Sequence, residues 1–155
     1  MPTEPEPGTE PIFYSSVYRH GVDEKRRVQI PAKWRPVKPE ALTLILWPKG
    51  SISEACLLVL PPREWSALYE KLRAMPYYEP KAQALRHLIG RRSDRVSIDK
   101  AGRICLPDGM AKSASIGSEA MLVGLVDRFE IWDPRRYDAS SATDDQLLSE
   151  AFRLI

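Results

Sequence analysis

Apolar residues alternate with polar ones in several short stretches of this chain, which is the spacing of half-buried strands. Residues 27–30 follow this alternation, and Pro31 ends it because proline has no N–H for a strand ladder. An extended segment is predicted at residues 12–18. The other predicted strands lie at residues 42–47, 56–60, 95–98, 103–106, 121–126 and 129–132.

Helices are predicted where apolar residues recur every three or four positions. The first begins near Pro62, because the missing N–H of proline costs nothing at the first helical position. Its apolar stripe consists of Trp65, Leu68, Leu72 and Met75. Shorter helical pieces are predicted at residues 31–35, at residues 81–90, at residues 109–113 with Asp108 as cap, and from a cap at Thr143 or Asp144 to the end.

One phrase occurs twice, at residues 23–31 and 99–107. Both copies read Asp-x-x-x-Arg-apolar-x-apolar-Pro, and the offset between them is 76 residues at every matching position. A second phrase, Pro-Arg-charged-aromatic, occurs at residues 62–65 and again at residues 134–137. We therefore predict two pseudo-symmetric halves that share one core.

Each copy of the first phrase is predicted to begin with a turn. An Asp at a turn start accepts hydrogen bonds from the backbone two residues on, and the Asp and Arg that flank the turn are expected to pair. Gly102 suits a turn position with positive φ. The first copy has Arg26 at that place, where a positive φ costs roughly 1 kcal/mol relative to glycine.

The formal net charge of the 155 residues is only +2, but the charge is unevenly distributed. Residues 1–10 and 138–155 each carry −3, so that residues 11–137 carry +8. Lysine and arginine concentrate at residues 19–35 and 86–103, with six basic against two acidic residues in each stretch. Each stretch contains one copy of the repeated phrase, which favours a polyanion that meets both halves at once.

Several classes of protein are disfavoured. No apolar run approaches the roughly 18 residues that cross a bilayer, and the start of the chain is not that of a signal peptide. A cytoplasmic protein with no membrane partner is therefore expected. Cys56 and Cys105 lie in strand-like runs and are expected to be buried and not joined by a disulfide.

An enzyme is also disfavoured. His20 and His87 have no Cys or carboxylate partners at metal-ligand spacing, and no phosphate-binding glycine loop or nucleophile elbow occurs. His20 is interpreted as a hydrogen-bonded turn residue rather than a general base. We expect no catalytic residue, no metal, no cofactor and no small-molecule substrate.

The residues around the two phrases resemble the MraZ proteins, bacterial transcriptional regulators of the division and cell-wall gene cluster. The resemblance covers about residues 12–138 and includes Asp-Arg-Phe-Glu-Ile-Trp near the end of the second half. It is carried by Phe13, His20 and the segments at residues 22–35, 98–107 and 126–132. Arg26 departs from the family pattern, which has glycine there, and Lys100 and Ala101 exchange the usual order.

The resemblance implies a mainly β fold with short helices (α+β), built as a duplicated AbrB-like swapped-hairpin barrel whose subunits assemble into rings. It also implies binding to double-stranded promoter DNA at short G-rich direct repeats, repression of the protein's own operon, and association with the nucleoid. On this basis the chain divides into a disordered acidic, proline-rich lead (1–11), a first repeat (12–80), a second repeat (81–138) and an acidic helical tail (139–155).

Arginine anchored by aspartate presents a fork that suits guanine O6 and N7 or a phosphate. The expected DNA-binding residues are Asp23, Lys25, Arg26, Arg27, Lys33, Arg19, Asp99, Lys100 and Arg103. The first turn, with three consecutive cations, is expected to read DNA more than the second. Two alternatives stay open: an antitoxin-like dimeric DNA binder with the same hairpin fold, and a protein-interaction module whose basic face binds an acidic partner.

Overall fold

The computed structural model describes residues 11–155, so all of the predicted lead except Pro11 lies outside the described residues. The strands are β1 Val17–Gly21, β2 Arg27–Gln29, β3 Ala41–Lys49, β4 Ile52–Leu60, β5 Ser93–Ser97, β6 Arg103–Cys105, β7 Glu119–Gly124 and β8 Phe129–Trp132. A 3-10 helix spans Ala32–Trp34, and the α-helices are α1 Pro62–Ala74, α2 Pro80–Arg91, α3 Asp108–Ser113, α4 Pro134–Gln146 and α5 Leu148–Phe152. The α+β class is confirmed.

Six strands form one antiparallel sheet in the order β1-β7-β8-β4-β3-β5. The β3–β4 and β7–β8 hairpins each lie within one half of the chain, whereas the β1–β7, β8–β4 and β3–β5 pairings join the two halves. Because every second pairing crosses between the halves, neither half contains a complete sheet.

The remaining two strands, β2 and β6, pair with each other and form a separate two-stranded ribbon. Val28 lies opposite Ile104 in this ribbon, and both side chains are buried against the sheet. Each ribbon strand is three residues long, and after one intervening residue comes a proline, Pro31 or Pro107, which cannot extend a ladder.

The predicted closed barrel is therefore wrong. Strands β1 and β5 are the two ends of the six-stranded order, and their outer edges are not paired with each other. The short ribbon strands bond across to one another instead of extending either edge. A duplicated swapped-hairpin origin stays a prediction.

The main core lies between the sheet and the ribbon. An aromatic cluster occupies its centre, with ring centroids 5.7 Å apart for Tyr14 and Trp34, 5.4 Å for Tyr14 and Phe129, and 4.9 Å for Trp34 and Phe129. The Trp34 indole Nε1 donates to the Ser15 carbonyl oxygen at 3.1 Å, so its one polar group is satisfied. This cluster fixes the 3-10 helix that follows the first ribbon strand.

The opposite face of the sheet is covered by α1 and α2. Ile45 and Leu58 point to this side and pack with Leu72 of α1 and Ile89 of α2. Leu44 and other residues at alternate positions of the same strands belong to the main core. Strands β3 and β4 are thus covered on both faces, which explains their nearly continuous apolar sequences.

Three local expectations are corrected. Helix α4 begins at Pro134, with the Asp133 carboxylate as cap to Arg136 N at 3.1 Å, so Thr143 and Asp144 lie inside α4 and cap neither it nor the last helix, α5, which has no side-chain cap. Asp108 is the first residue of α3, and its side chain does not cap that helix. The buried-cysteine prediction holds for Cys56 but is wrong for Cys105, which is exposed because the ribbon alternation turns it away from the core. Among residues 11–155, no helix is long and apolar enough to span a bilayer.

Candidate nucleic-acid interface

The first turn is held by the carboxylate of Asp23. Its Oδ1 accepts from the backbone N–H of Lys25 at 2.9 Å and of Arg27 at 2.8 Å, and its Oδ2 accepts from Arg27 Nε at 2.7 Å. Two backbone bonds close the turn, from Arg26 N to Asp23 O at 2.9 Å and from Asp23 N to Arg27 O at 3.1 Å. The Arg27 side chain is therefore pre-organised with one third of its surface exposed.

The second turn has the same five bonds. Asp99 Oδ1 accepts from Ala101 N and from Arg103 N, both at 2.9 Å, and Oδ2 accepts from Arg103 Nε at 3.1 Å. Gly102 N donates to Asp99 O at 3.0 Å, and Asp99 N donates to Arg103 O at 2.8 Å. The predicted turns and the pairing of Asp with Arg across each of them are confirmed.

Both aspartates ionise more readily than usual. The backbone N–H of Arg27 contributes most to lowering the pKa of Asp23, and the Arg27 guanidinium lowers it further. The backbone N–H of Arg103 has the same leading effect on the pKa of Asp99. Each carboxylate therefore stays charged and keeps its arginine anchored at neutral pH.

Equivalent bonds across the ribbon link the two turns. Ile30 N donates to Gly102 O and Leu106 N donates to Arg26 O, both at 2.8 Å. Gln29 Nε2 donates to Ala101 O at 2.9 Å. At the equivalent place in the second half, the Cys105 thiol lies 3.2 Å from the Lys25 carbonyl oxygen. The first turn is thus held by β6 and Leu106, and the second turn is held by β2 and Ile30.

The fourth position of each turn is left-handed. Gly102 has φ +82°, as predicted, and Arg26 has φ +60°. The strained Arg26 is compensated in part by a bond from its Nε to the Leu106 carbonyl oxygen at 3.0 Å, and its Nε lies 3.9 Å from Asp108 Oδ1. Sequence reasoning predicted the strain but not these partners, since they lie about 80 residues away.

The face of the ribbon that points away from the core is polar. Val28 and Ile104 point inward, so Arg27 and Gln29 on one strand and Arg103 on the other point outward. Gln29 lies opposite Arg103, which places Arg27 and Arg103 on a diagonal, where residues are about 7–8 Å apart and their Cβ atoms are somewhat closer. The two anchored arginines therefore lie side by side on one surface.

Among the remaining predicted residues, the lysines are exposed, whereas Arg19 is paired with a carboxylate. Lys25 and Lys100 are exposed in the two turns, and Lys33 is exposed on the 3-10 helix. Arg19 lies in β1, and its guanidinium is engaged with the Glu119 carboxylate, so it does not join the arginines of the ribbon.

Two polar side chains on this surface, Gln29 and Arg35, were not among the predicted site residues. Arg35 follows the 3-10 helix, is exposed, and donates from Nε to the Ile30 carbonyl oxygen at 2.9 Å. Its position in the basic stretch was visible in the sequence, but its contact with the second turn was not. Gln29 was visible only as the outward residue of a strand.

His20 occupies a different place from the one that the sequence predicted. His20 lies in β1 and not in the turn, and among residues 11–155 its buried Nε2 has no hydrogen-bond partner, so the hydrogen-bonded turn role is wrong for that atom. Nowhere in that range do three His, Cys, Asp or Glu side chains cluster as metal ligands.

Known proteins match this chain over most of its length. A family model described as "MraZ protein, putative antitoxin-like" matches residues 91–153. A transcriptional regulator MraZ from Desulfitobacterium hafniense (strain Y51) is 35% identical over 144 residues, which cover 92% of this chain and 97% of that protein.

Two further relatives, also named transcriptional regulator MraZ, show comparable similarity. The protein from Clostridium tetani is 35% identical over 78% of this chain and 82% of its own length. The protein from Coxiella burnetii (strain RSA 493) is 32% identical over 83% of this chain and 84% of its own length. With this coverage and with both Asp-anchored turns in place, the chain belongs to the MraZ family.

Proposed function

We propose that this protein is a sequence-specific DNA-binding transcriptional regulator that represses its own division and cell-wall gene cluster. The relatives' shared name supports a role in transcription. The observation that carries DNA binding is the pair of matched turns, each with an arginine held by an aspartate at the surface of one ribbon. Such a protein works on the chromosome, in the cytoplasm and at the nucleoid.

The ribbon is proposed to enter a groove of the DNA. A two-stranded β-ribbon fits the major groove of B-DNA, and an arginine fork there pairs with guanine O6 and N7. Bases rise about 3.4 Å along each strand. A diagonal of about 7–8 Å between Arg27 and Arg103 therefore corresponds to guanines about two steps apart, which agrees with G-rich boxes.

The lysines are proposed to contact phosphates. Lys25, Lys100 and Lys33 are exposed beside the ribbon, and flexible ammonium groups suit the DNA backbone better than base edges. Arg26 is proposed to contribute its outer nitrogens, since its Nε is occupied by Leu106 O. Arg19 joins this contact only if DNA displaces Glu119.

Assembly of several copies is part of the proposal. Leu147, Leu148 and Phe152 are exposed apolar residues on and next to α5. Exposed apolar side chains on one short helix are typical of an interface, and we propose that a second copy of the chain covers them. Copies arranged in a ring then bind successive promoter boxes, so that later contacts become intramolecular.

The solution mass of the protein tests the ring. Sedimentation equilibrium is expected to show an assembly larger than a dimer that bears several copies of the ribbon. A stable dimer would contradict the ring and favour the antitoxin-like arrangement, which shares the DNA-binding turns.

Arg27→Ala tests the DNA-binding proposal itself. The variant is expected to weaken binding to a duplex from upstream of the protein's own gene by about 1–3 kcal/mol, because it removes one base-reading fork. The matched control is Arg73→Ala, which removes the same charge from α1 on the opposite face of the sheet. Mobility-shift titrations measure the affinity, and circular dichroism checks the fold.

Two outcomes decide between the classes. Equal affinities for Arg27→Ala and Arg73→Ala would remove the proposed reader. Wild-type affinity that does not fall with salt would exclude phosphate contacts and favour the protein-interaction module.

A further inference from the structure

The two turns have nearly the same backbone geometry but differ in sequence at their fourth position, which is Arg26 in one and Gly102 in the other. Arg26 of the first turn donates its Nε to the carbonyl oxygen of Leu106 at 3.0 Å. Ile30 is the residue equivalent to Leu106 in the other half, and its carbonyl oxygen accepts from Arg35 Nε at 2.9 Å. Equivalent carbonyls in the two halves are therefore each bound by a guanidinium, although the two guanidinium groups come from different positions of the repeat.

The arginine and the small residue have exchanged places between the two halves. Gly102 takes the place of Arg26 in the second turn, and a Cβ atom on Gly102 would lie less than 3.0 Å from Cζ, Nε and Nη1 of Arg35. The residue equivalent to Arg35 is Ala111, a small buried residue of α3 that has no guanidinium group. One half combines glycine in the turn with arginine after the helix, and the other combines arginine in the turn with alanine in the helix.

We infer that Arg35 gives the second turn the guanidinium that Arg26 gives the first, so that both turns bind DNA with two arginines each. This inference rests on the proposed DNA-binding function and adds one residue and one turn to it. Arg35 is exposed, and its bond to Ile30 uses one of the five N–H donors of a guanidinium. The other four are available to a phosphate beside Arg103.

The cation count of the two turns changes accordingly. In the sequence, the second turn has Ala101 and Gly102 where the first has Lys25 and Arg26, so it has fewer positive charges than the first. In space Arg35 covers Gly102 and makes the second turn comparable to the first. The second copy is therefore a DNA-contacting element and not only a scaffold.

The test uses the salt dependence of binding. Full-length variants are titrated by fluorescence anisotropy into a fluorescein-labelled duplex from upstream of the protein's own gene, between about 50 and 200 mM KCl. Arg35→Ala is expected to reduce the slope of log K against log salt by about one, as the loss of one phosphate contact does. Arg26→Ala is expected to reduce it by the same amount, and Arg73→Ala to leave it unchanged.

Two further variants separate charge from architecture. Arg35→Lys keeps the cation but loses the Nε geometry, and it is expected to keep most of the slope. The double variant Arg35→Ala with Gly102→Arg rebuilds in the second half the arrangement of the first, and it is expected to regain the lost slope. A purely structural Arg35 predicts that Arg35→Lys loses the slope as Arg35→Ala does.

The result that overturns the inference is a folded Arg35→Ala whose slope equals that of Arg73→Ala. If Arg27→Ala loses binding in the same experiment, the proposed function still stands and only the role of Arg35 is lost. A wild-type protein that binds no duplex overturns both. A slope that the double variant fails to restore also overturns the equivalence of Arg26 and Arg35.

Discussion

Asp23 and Asp99 hold the two turns through their charge, so their ionisation controls the geometry of the arginines. We predict that both titrate below about 3.9, the ordinary pKa of Asp, since backbone N–H groups and a guanidinium favour the carboxylate. A lowered folded-state pKa contributes stability that is fully present above the unfolded value and lost as pH falls through the folded value. Carbon-detected NMR of the two carboxyl groups measures their pKa values in the folded protein.

A variant of Arg27 separates the effects of its backbone N–H and of its guanidinium on the pKa of Asp23. Arg27→Ala keeps the backbone N–H that contributes most and loses only the guanidinium, so the pKa of Asp23 should rise in part and stay below its ordinary value. Asp99, in the other turn, serves as internal reference and should not move. A value for Asp23 at or above about 3.9 in the wild type would contradict the anchoring role.

Gly102 is predicted to resist substitution for two additive reasons. Its φ of +82° disfavours a side chain by roughly 1–2 kcal/mol, and the added Cβ meets the Arg35 guanidinium. Gly102→Ala should lower the free energy of unfolding by at least that amount, and in the Arg35→Ala background only the backbone part should remain. Urea denaturation gives both numbers.

Gly109 provides the matched control for that experiment. It lies in α3, and a Cβ there has open space around it. Gly109→Ala is therefore expected to leave stability unchanged or raise it by about 0.5–1 kcal/mol. If Gly102→Ala were as harmless, Arg35 would not be packed on the turn.

Local chemistry determines how far single residues could be predicted from the sequence. Turn start, Asp–Arg pairing and positive φ at Gly102 all follow from residues within five positions of one another, and they are confirmed. The partner of Arg26 lies 80 residues away, and Arg35 meets Gly102 across the ribbon. Such contacts depend on the register between distant strands, which no local pattern contains.

At the scale of elements, the ribbon depends on two buried side chains beneath it. Ile104 is 1% exposed and packs with Val28 on the core side of the β2–β6 pair. We predict that Ile104→Ala lowers the free energy of unfolding by about 2–5 kcal/mol, the range for a buried isoleucine that leaves a cavity. Val37→Ala, at a position 81% exposed, is the control and should stay within about 0.5 kcal/mol.

Hydrogen exchange on the same variant adds a second readout. Both turns bond to strands of the ribbon, so amide protection of Arg27 and Arg103 should fall together in Ile104→Ala. Loss of protection in the second turn alone would show that the ribbon does not couple the two sites.

Most elements were predictable because their periodicity is local. The strands at β3, β4, β7 and β8 and the helix from Pro62 have the apolar spacing of their type. Thr143 and Asp144 resemble caps of one final helix, but Asp133 followed by Pro134 supplies the start of α4, and α5 is a separate helix without a side-chain cap. Two plausible caps on one chain cannot be ranked by composition alone.

At the scale of the whole molecule, the sequence predicted two halves and one core but not how the halves interleave. Strand pairing between the halves puts β1 on β7, β8 on β4 and β5 on β3, and leaves an open sheet rather than a barrel. Closure depends on whether the edge strands find partners, and the three-residue β2 and β6 pair with each other instead. The repeats at residues 12–80 and 81–138 are thus proposed as units of sequence that do not fold alone.

Interleaving of this kind predicts one cooperative unfolding transition for the entire described chain. Trp34 lies in the core under the ribbon, whereas Trp65 belongs to α1 and packs on the opposite face of the sheet. In protein labelled with 5-fluorotryptophan, the ¹⁹F resonances of both should disappear at the same urea concentration, because strands β3 and β4 supply side chains to both cores and cannot unfold for one alone. Single Trp→Phe variants serve only to assign the resonances. Loss of the Trp65 signal well before that of Trp34 would show that the helical layer unfolds independently of the sheet and the ribbon, and the described chain would then not be one folding unit.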